Sequence, residues 1–437
     1  MQKQSKFRYW MGLISLGYMG GTMYLLLYVR YVFYDQMIGV MNCTNAQLGL
    51  LNSAAAAIGT IVAIPGAYLA DKWDAKFTIV RSIGLITLIT FIFPLVMHSY
   101  TMALILFAAQ SCVRIGYWPS LVKYINGIGD EEVAGNSFGV YYLINGLSGA
   151  FGNVVPLWIA QRGTGMIGAI ITMGVITLIA TILVAIFLDS EKKLKAQGRS
   201  LKGDEPIELR HIKYVLKWPG TYMIFIAYFT TYTIYSNVSY FNPFLIDVVG
   251  VNPDASSVFS IIRSYGAMLV APLGGIMADK VFKSTSTWYI VAFSISAVMF
   301  VIPLLFGPDS NPTMVSIYSV LPSLVIFALY SVTYSILREL HIPATVAGTA
   351  IGLGSISGNL VDGVLPPVFG ALIDNFGNTG YTLIFTLLVI NCMLGIANAL
   401  WVKSHNKKCL AGTRKLDLKG LRSKAASFDG SDDDGAA

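Results

Sequence analysis

The chain has 437 residues, of which 55% are hydrophobic and only 12% are charged, and its formal net charge is +7. A soluble protein carries about 25% charged residues and needs them to cover its core, so this composition argues against a cytoplasmic enzyme, a nucleic-acid binder, a disordered chain and a disulfide scaffold. The apolar residues fall in blocks of about 18 to 26, long enough to cross a hydrocarbon core of ~30 Å, which predicts a polytopic membrane protein.

Hydropathy predicts an all-α membrane protein with twelve transmembrane helices in two pseudo-symmetric six-helix bundles. The predicted spans are 9–34, 45–69, 77–97, 102–124, 135–159, 165–188, 219–246, 255–277, 286–306, 313–337, 346–371 and 381–402. A single long polar stretch divides them six plus six. The predicted domains are an N-terminal bundle (1–188), a cytoplasmic linker (189–217), a C-terminal bundle (218–402) and a disordered cytoplasmic tail (403–437).

The placement of basic residues predicts the orientation in the membrane. With the N-terminus inside, 26 of the 30 lysines and arginines fall in cytoplasmic segments, and only Arg162 falls in an outer loop. This bias is the positive-inside pattern, so we expect a cell-membrane protein with both termini in the cytoplasm. The remaining three basic residues, Arg30, Arg114 and Arg263, fall inside predicted spans.

Tyrosines recur at helical spacing in the first span and again in the seventh. They are Tyr24, Tyr28 and Tyr31, followed 204 residues later by Tyr228, Tyr232 and Tyr235. Such stripes either offer hydroxyls and walls to a small ligand or pack as ordinary core. The common offset indicates two related halves, an arrangement typical of rocking transporters.

A second repeat follows the second and eighth spans, where the chain reads GAYLADK and GGIMADK. Gly66 and either Gly274 or Gly275 would let helices approach closely. Asp71 and Asp279 would cap neighbouring helices, and their loops would act as a gate at the inner face. The gating lysines would be Lys76 and Lys283, with acidic partners among Glu131, Glu132 and Glu339. The alternative is two solvated cytoplasmic turns.

In its paired motif segments, twelve predicted spans and central basic linker, the chain resembles the major facilitator superfamily over roughly residues 8 to 402. Within it, the chain is most similar to the organophosphate:phosphate antiporters and related organic-anion transporters. Arg30 precedes Asp71 by 41 residues, the fourth span reads YWPSLVK, and the seventh ends FNPFL. The resemblance implies a central cavity lined by the first, fourth, seventh and tenth helices, with Arg30 on the substrate. The second substrate arginine of that group would fall near Tyr235, whereas this chain carries Arg263 in the eighth span.

The three arginines within spans suggest an anionic ligand on physical grounds. Each guanidinium costs at least ~2.5–3.5 kcal/mol at the membrane centre unless it faces water, a partner or an anion. The planar fork of arginine suits carboxylate, phosphate or sulfonate. Alternatives remain open: Arg30 extends outward to water, Arg114 braces the bundle or tunes a proton, and Arg263 pairs with Asp362.

Other polar and aromatic side chains complete the predicted site. Trp118 and Asn359 would contact the substrate beside Tyr28, Tyr232 and Tyr235, and Lys123 would take part in coupling unless it is a solvated inner lysine. No ATP-binding loop and no cysteine or histidine spacing typical of a metal site occurs, so we expect neither enzyme activity nor a cofactor or metal.

The leading hypothesis is therefore a secondary transporter, working by alternating access, for a small organic anion such as a carboxylate, phosphate or sulfonate ester. Antiport against a counter-anion is favoured because an empty, positively charged site would resist closure. One alternative is a proton-coupled symporter of a weakly charged or neutral solute, with Asp362 or Asp35 carrying the proton. Another is a non-transporting membrane sensor. The expected partners are the substrate, lipid and a proton or counter-anion.

Overall fold

The computed structural model describes residues 6–128, 134–196, 216–342 and 344–413, and every regular element within them is helical. Helices satisfy their own backbone hydrogen bonds, as the membrane interior requires. The N-terminal half contains α1 (Lys6–Thr22), α2 (Tyr34–Met41), α3 (Asn45–Lys72), α4 (Ala75–Val96), α5 (Tyr100–Val113), α6 (Tyr117–Ile128), α7 (Ala134–Ile159), α8 (Gly165–Phe187) and α9 (Glu191–Ala196).

The C-terminal half repeats this series. It contains α10 (Pro219–Asn237), α11 (Phe241–Asp247), α12 (Pro253–Tyr265), α13 (Ala271–Ile276), α14 (Thr285–Val301), α15 (Pro312–Tyr318), α16 (Leu321–Tyr330), α17 (Ala344–Phe376) and α18 (Asn378–Leu410). Most of the predicted linker and the acidic end of the tail lie outside the described residues, so the domain boundaries stay a prediction.

Eight helical stretches within the described residues are long and apolar enough to cross a membrane. One of them, 139–196, covers two predicted spans, so nine of the twelve spans are represented. The other three are the first, fourth and seventh. These three carry the polar and aromatic residues singled out above, which shorten or divide their apolar runs.

All four spans expected to line the cavity are divided. A 3-10 turn, Val29–Tyr31, separates α1 from α2, and the corresponding turn Val238–Tyr240 separates α10 from α11. The fourth span divides between α5 and α6, and the tenth between α15, α16 and a 3-10 segment, Thr333–Arg338. Each break frees backbone groups within a predicted span, and these groups need partners there.

At the break in the fourth span, a side chain from another helix supplies a partner for a freed backbone group. Gly116 adopts φ +73°, a left-handed conformation that favours glycine, and so turns the chain between α5 and α6. Arg81 from α4 donates through Nη2 to the freed carbonyl oxygen of Ile115 at 2.8 Å. The buried Gly66 of α3 packs against this break, where an added Cβ would lie 2.9 Å from the nitrogen of Gly116.

The second copy of the motif packs in the same way in the other half. An added Cβ on Gly274 would lie 1.8 Å from the carbonyl oxygen of Ala328, so α13 and α16 are in backbone contact there. At Gly275 an added Cβ would meet nothing within 4 Å. Gly274, and not Gly275, therefore matches Gly66 in the close helix approach expected from the sequence.

Several of the described hydrogen bonds between the halves lie at the end of the bundle away from these motifs. The carboxylate of Asp374, near the end of α17, accepts from the backbone nitrogens of Asn45 and Ala46 at 3.0 and 2.8 Å. Ser257 of α12 donates to the carbonyl oxygen of Val32 at 2.7 Å, which the break in the first span has freed. This end of the central passage is closed.

At the motif end, the start of the linker is fixed to the N-terminal half. Lys123 of α6 forms an ion pair with Glu191 at 2.8 Å, and Arg8 pairs with Asp189 at 2.9 Å. The nitrogen of Glu191 also donates to Asp74, the residue that caps α4. These contacts hold α9 against α4 and α6 at the motif end.

Candidate functional site

The carboxylate of Asp362, within the eleventh predicted span, joins the two halves. Tyr232 donates to its Oδ2 at 2.8 Å, and Tyr28, from the other half, donates to the same oxygen at 3.4 Å. Ser236 donates to Oδ1 at 3.1 Å and lies 2.9 Å from the hydroxyl of Tyr31. Both predicted tyrosine stripes thus meet at one acidic side chain.

The tyrosines around Asp362 form two groups of contacting rings, one from each half, which meet at its carboxylate and are together called here the tyrosine wall. Its members are Tyr24, Tyr28 and Tyr31 from one half and Tyr228, Tyr232, Tyr235, Tyr330 and Tyr334 from the other. Ring centroids are 5.1 Å apart for Tyr28 and Tyr31 and 4.3 Å apart for Tyr235 and Tyr330. The members of the two stripes are only half-buried, although Thr231 and Ile234 between them are fully buried. The wall therefore faces an opening and is not enclosed core.

Arg30 lies at the break in the first span, at the closed end of the passage. It is only 3% exposed, so it does not extend outward to water. Its Nη1 donates to the hydroxyl of Tyr240 in the other half at 3.4 Å, and that hydroxyl donates to the carbonyl oxygen of Pro366 at 3.1 Å. Its Nε and Nη2 are buried without a hydrogen-bond partner.

Arg114 ends α5 at the break in the fourth span. Its guanidinium lies 4.8 Å from the ring centroid of Tyr24 and donates to Ser111 at 3.4 Å. Its Nη1 is buried without a partner. Because Tyr24 belongs to the tyrosine wall, Arg114 borders the same opening from the side of the fourth span.

Arg263 is fully buried in the C-terminal half. Its Nη1 donates to Ser319 at 2.7 Å, and its guanidinium lies 5.8 Å from the ring centroid of Phe241. Its Nε and Nη2 have no hydrogen-bond partner. The hydrogen bonds of Asp362 come from other residues, so the structure does not contain the alternative pairing of Arg263 with Asp362.

Two routes of described contacts connect Arg30 and Arg263: helix α11 with the turn before it, and α12 itself, whose Ser260 donates to the carbonyl oxygen of Tyr31. Arg30 touches Tyr240 and Arg263 touches Phe241, which are consecutive residues. No contact joins Arg263 to the tyrosine wall among the described residues. Within that part of the chain, none of the three predicted arginines forms an ion pair with a carboxylate.

The other predicted site residues are spread more widely. Asn359 is half-buried on α17, about one helical turn before Asp362. Trp118 is 48% exposed on α6. Lys123 is paired with Glu191 of the linker at 2.8 Å, so the structure places it at the anchoring contact described above.

The described gate residues have partners other than those expected. Asp279 forms an ion pair with Arg338, at the end of the tenth span, at 2.9 Å. Glu339 accepts from Ser284 and the nitrogen of Ser286 at the start of α14, and so caps that helix instead of pairing with Lys283. The side chain of Asp71, and the whole of Glu131 and Glu132, lie outside the described residues.

Sequence reasoning missed three residues that the geometry brings into the site. Ser236 and Tyr240 contact Asp362 and Arg30, and Ser319 contacts Arg263. Ser236 and Tyr240 follow Tyr232 by four and eight residues, which is the spacing of one helix face. That spacing was a usable signal, whereas nothing in the sequence pairs Ser319 with an arginine in another span.

The fold and the divided helices define a transporter-like membrane protein, and comparison with known proteins identifies its family. The profile of the Major Facilitator Superfamily matches residues 10–366, with a second match over 224–426. The chain belongs to this superfamily, whose members include transporters of the kind compared below.

Two proteins of Escherichia coli K12 are similar to most of the chain. Inner membrane protein YihN is 26% identical over 403 residues, covering 89% of this chain and 94% of its own, and inner membrane protein YqcE is 25% identical over 381 residues, covering 84% and 88%. The probable sulfoacetate transporter SauU of Cupriavidus necator is 24% identical over 377 residues, covering 82% and 84%.

Solved structures share the fold at low identity. A bacterial homologue of the human lysosomal transporter Spinster, in an inward-facing and unoccupied conformation, superposes with a TM-score of 0.71 at 15% identity, covering 93% of this chain and 99% of its own. The nucleoside transporter NupG gives a TM-score of 0.68 at 14% identity, covering 92% and 99%. The chain is thus a multi-pass membrane protein with the major facilitator fold.

Proposed function

We propose that this protein exchanges small organic anions across the cell membrane by alternating access. The observation that carries the proposal is the set of three buried guanidiniums, Arg30, Arg114 and Arg263, each with nitrogen atoms that lack a hydrogen-bond partner. An unpaired buried charge is costly, so a charge-assisted hydrogen bond to an anion would supply what the protein does not.

Arg30 is the principal anion-binding residue in this proposal because it lies where the halves meet. An anion would accept hydrogen bonds from Nε and Nη2 of Arg30, beside the bond from Nη1 to Tyr240. Its binding would therefore change the stability of this contact between the halves. Arg114 approaches from the fourth span, with Tyr28, Tyr232, Tyr235 and the neighbouring Asn359 and Trp118 as walls. Arg263 lies against Phe241, the residue after Tyr240, which Arg30 contacts from the other half. In this proposal Arg263 is the second anion-binding arginine, contributed by the C-terminal half.

The name of one relative supports the substrate class. SauU is described as a probable sulfoacetate transporter, and sulfoacetate carries both a sulfonate and a carboxylate. Both groups match the fork geometry of arginine. Exchange against a counter-anion follows because substrate charge would offset the guanidinium charge during closure.

Counterflow in proteoliposomes tests this proposal. Vesicles preloaded with sulfoacetate, a dicarboxylate or a sugar phosphate should accumulate the matching labelled anion, and Arg30→Ala should weaken its apparent affinity by about ten- to a hundred-fold. Arg162→Ala is the matched control, since Arg162 lies on Trp158 with its guanidinium 3.4 Å from the ring centroid, far along the chain from the site. Unchanged exchange in Arg30→Ala and Arg263→Ala would overturn the proposal.

A proton-coupled mechanism is the second candidate, and the environment of Asp362 favours it. Its three hydrogen-bond donors come from both halves, so gain of a proton would rearrange contacts that connect them. Uptake driven by a proton gradient, and lost in Asp362→Asn, would support coupling. Exchange that ignores the gradient and survives Asp362→Asn would exclude it.

The orientation with both termini in the cytoplasm is also part of the proposal. It is supported by the 26 basic residues that fall on one side of the predicted spans. A reporter active only in the cytoplasm, fused after Ala437, should be active in cells. An inactive but fully expressed fusion would reverse the orientation.

A further inference from the structure

A group of basic and aromatic side chains lies at the motif end of α3 and α4, outside the central site. It is called here the α3–α4 patch and consists of Tyr68, Lys72, Trp73, Lys76, Phe77 and Arg81. The Nζ atom of Lys72 lies 4.5 Å from the ring centroid of Tyr68, and the guanidinium of Arg81 lies 4.7 Å from that of Trp73. Tyr68 and Phe77 are more than half exposed.

Two acidic side chains near the patch have other partners, and the side chain of Asp71 lies outside the described residues. Asp74 accepts from the nitrogen of Phe77 at 3.2 Å with one oxygen and from the nitrogen of Glu191 at 2.7 Å with the other. Glu191 in turn is paired with Lys123. Within the described part of the chain, no carboxylate forms an ion pair with Lys72, Lys76 or Arg81.

An open cavity of about 590 Å³ adjoins these cations. It is lined by Lys76, Phe77, Val80 and Arg81, together with Asp74 and Ser190 at the start of the linker. Its wall therefore combines apolar side chains with two cations at the boundary where a membrane span ends. Aromatic rings and long basic side chains are typical of the headgroup level of a bilayer.

We propose that the α3–α4 patch binds the headgroup of an anionic phospholipid. The phosphodiester lies between the ammonium groups of Lys72 and Lys76, and the glycerol and upper acyl chains lie along Phe77 and Val80. Basic pockets between membrane helices recognise anionic lipids in this way, and each lysine near the surface contributes about five-fold in affinity.

Such a lipid would reach the transport site through Arg81. Its Nη2 donates to the carbonyl oxygen of Ile115 at 2.8 Å, in the break that follows Arg114. Its Nε is buried without a partner. The negative charge of a lipid beside Arg81 would therefore attract the side chain whose hydrogen bond stabilises the break in the fourth span. This inference does not depend on which solute is transported.

Quenching of tryptophan fluorescence by brominated lipid tests the proposal on the full chain. Protein in phosphatidylcholine vesicles is titrated with brominated phosphatidylglycerol or brominated phosphatidylcholine, and the difference between the native chain and Trp73→Phe isolates the signal of Trp73. We expect the phosphatidylglycerol form to quench Trp73 preferentially. The preference should fall about five-fold for each of Lys72→Gln and Lys76→Gln.

The C-terminal half provides the control. Lys280 ends the second copy of the motif and Lys283 follows it, so the double variant Lys280→Gln, Lys283→Gln removes the same charge elsewhere. This control should keep the preference at Trp73. Equal quenching by the two brominated lipids, an equal loss in this control and in the double variant Lys72→Gln, Lys76→Gln, or displacement of the lipid by millimolar inorganic phosphate would each overturn the proposal.

Discussion

The close contact at Gly274 gives a prediction whose size follows from the geometry. In Gly274→Ala the new Cβ would start 1.8 Å from the carbonyl oxygen of Ala328, so α13 and α16 must separate by more than about 1 Å. The contact atom belongs to backbone and cannot rotate aside. Overpacking of this kind costs about 1–3 kcal/mol, occasionally more. We therefore expect a loss of several degrees in unfolding temperature.

Gly275 is the matched control because it is the next residue in α13. Its added Cβ meets nothing within 4 Å, and alanine is favoured over glycine in a helix by about 0.5–1 kcal/mol, so Gly275→Ala should be neutral or stabilising. Thermal unfolding of both variants in the same detergent, at one scan rate, measures the difference. Equal unfolding temperatures for the two variants would refute the reasoning.

Two further predictions concern polar contacts. Tyr232→Phe removes the 2.8 Å hydrogen bond to Asp362, and Tyr28→Phe removes the weaker one at 3.4 Å. The initial rate of uptake should therefore fall more in Tyr232→Phe than in Tyr28→Phe. An equal fall in the two variants would contradict the assigned geometry. In the Asp279–Arg338 ion pair both side chains are more than half exposed. A double-mutant cycle on the free energy of unfolding should therefore give a coupling energy below about 1 kcal/mol, which decreases as salt is added. A coupling well above that, insensitive to salt, would contradict it.

The sequence predicted the fold class because hydropathy and charge placement are properties of long segments. It also placed the tyrosine stripes and the paired glycines, since both depend on helical spacing within one span. It did not predict the breaks beside Arg30 and Arg114. A break is stabilised by partners from other helices, such as Arg81 on the carbonyl of Ile115, and these are known only in three dimensions.

The same limit explains the candidate site. The excess of basic charge in the spans was visible from composition, but the sequence could not say which arginine faces which helix. It left open a pairing of Arg263 with Asp362, whereas the structure surrounds Asp362 with hydroxyl donors and places Arg263 against Ser319. The sequence also left open whether Lys123 is a coupling residue or a solvated lysine. Its partner in the structure, Glu191, lies in the linker, 68 residues away.

The divided spans also bear on how the chain is made. The first, fourth and seventh spans are absent from the eight stretches that are apolar enough to cross a membrane by themselves. During biosynthesis the first span would leave the ribosome with Arg30 before α7 and α8, which pack against it, and the seventh would leave with its tyrosine hydroxyls before α17 and α18. The stable insertion of these two spans therefore depends on helices that are made after them.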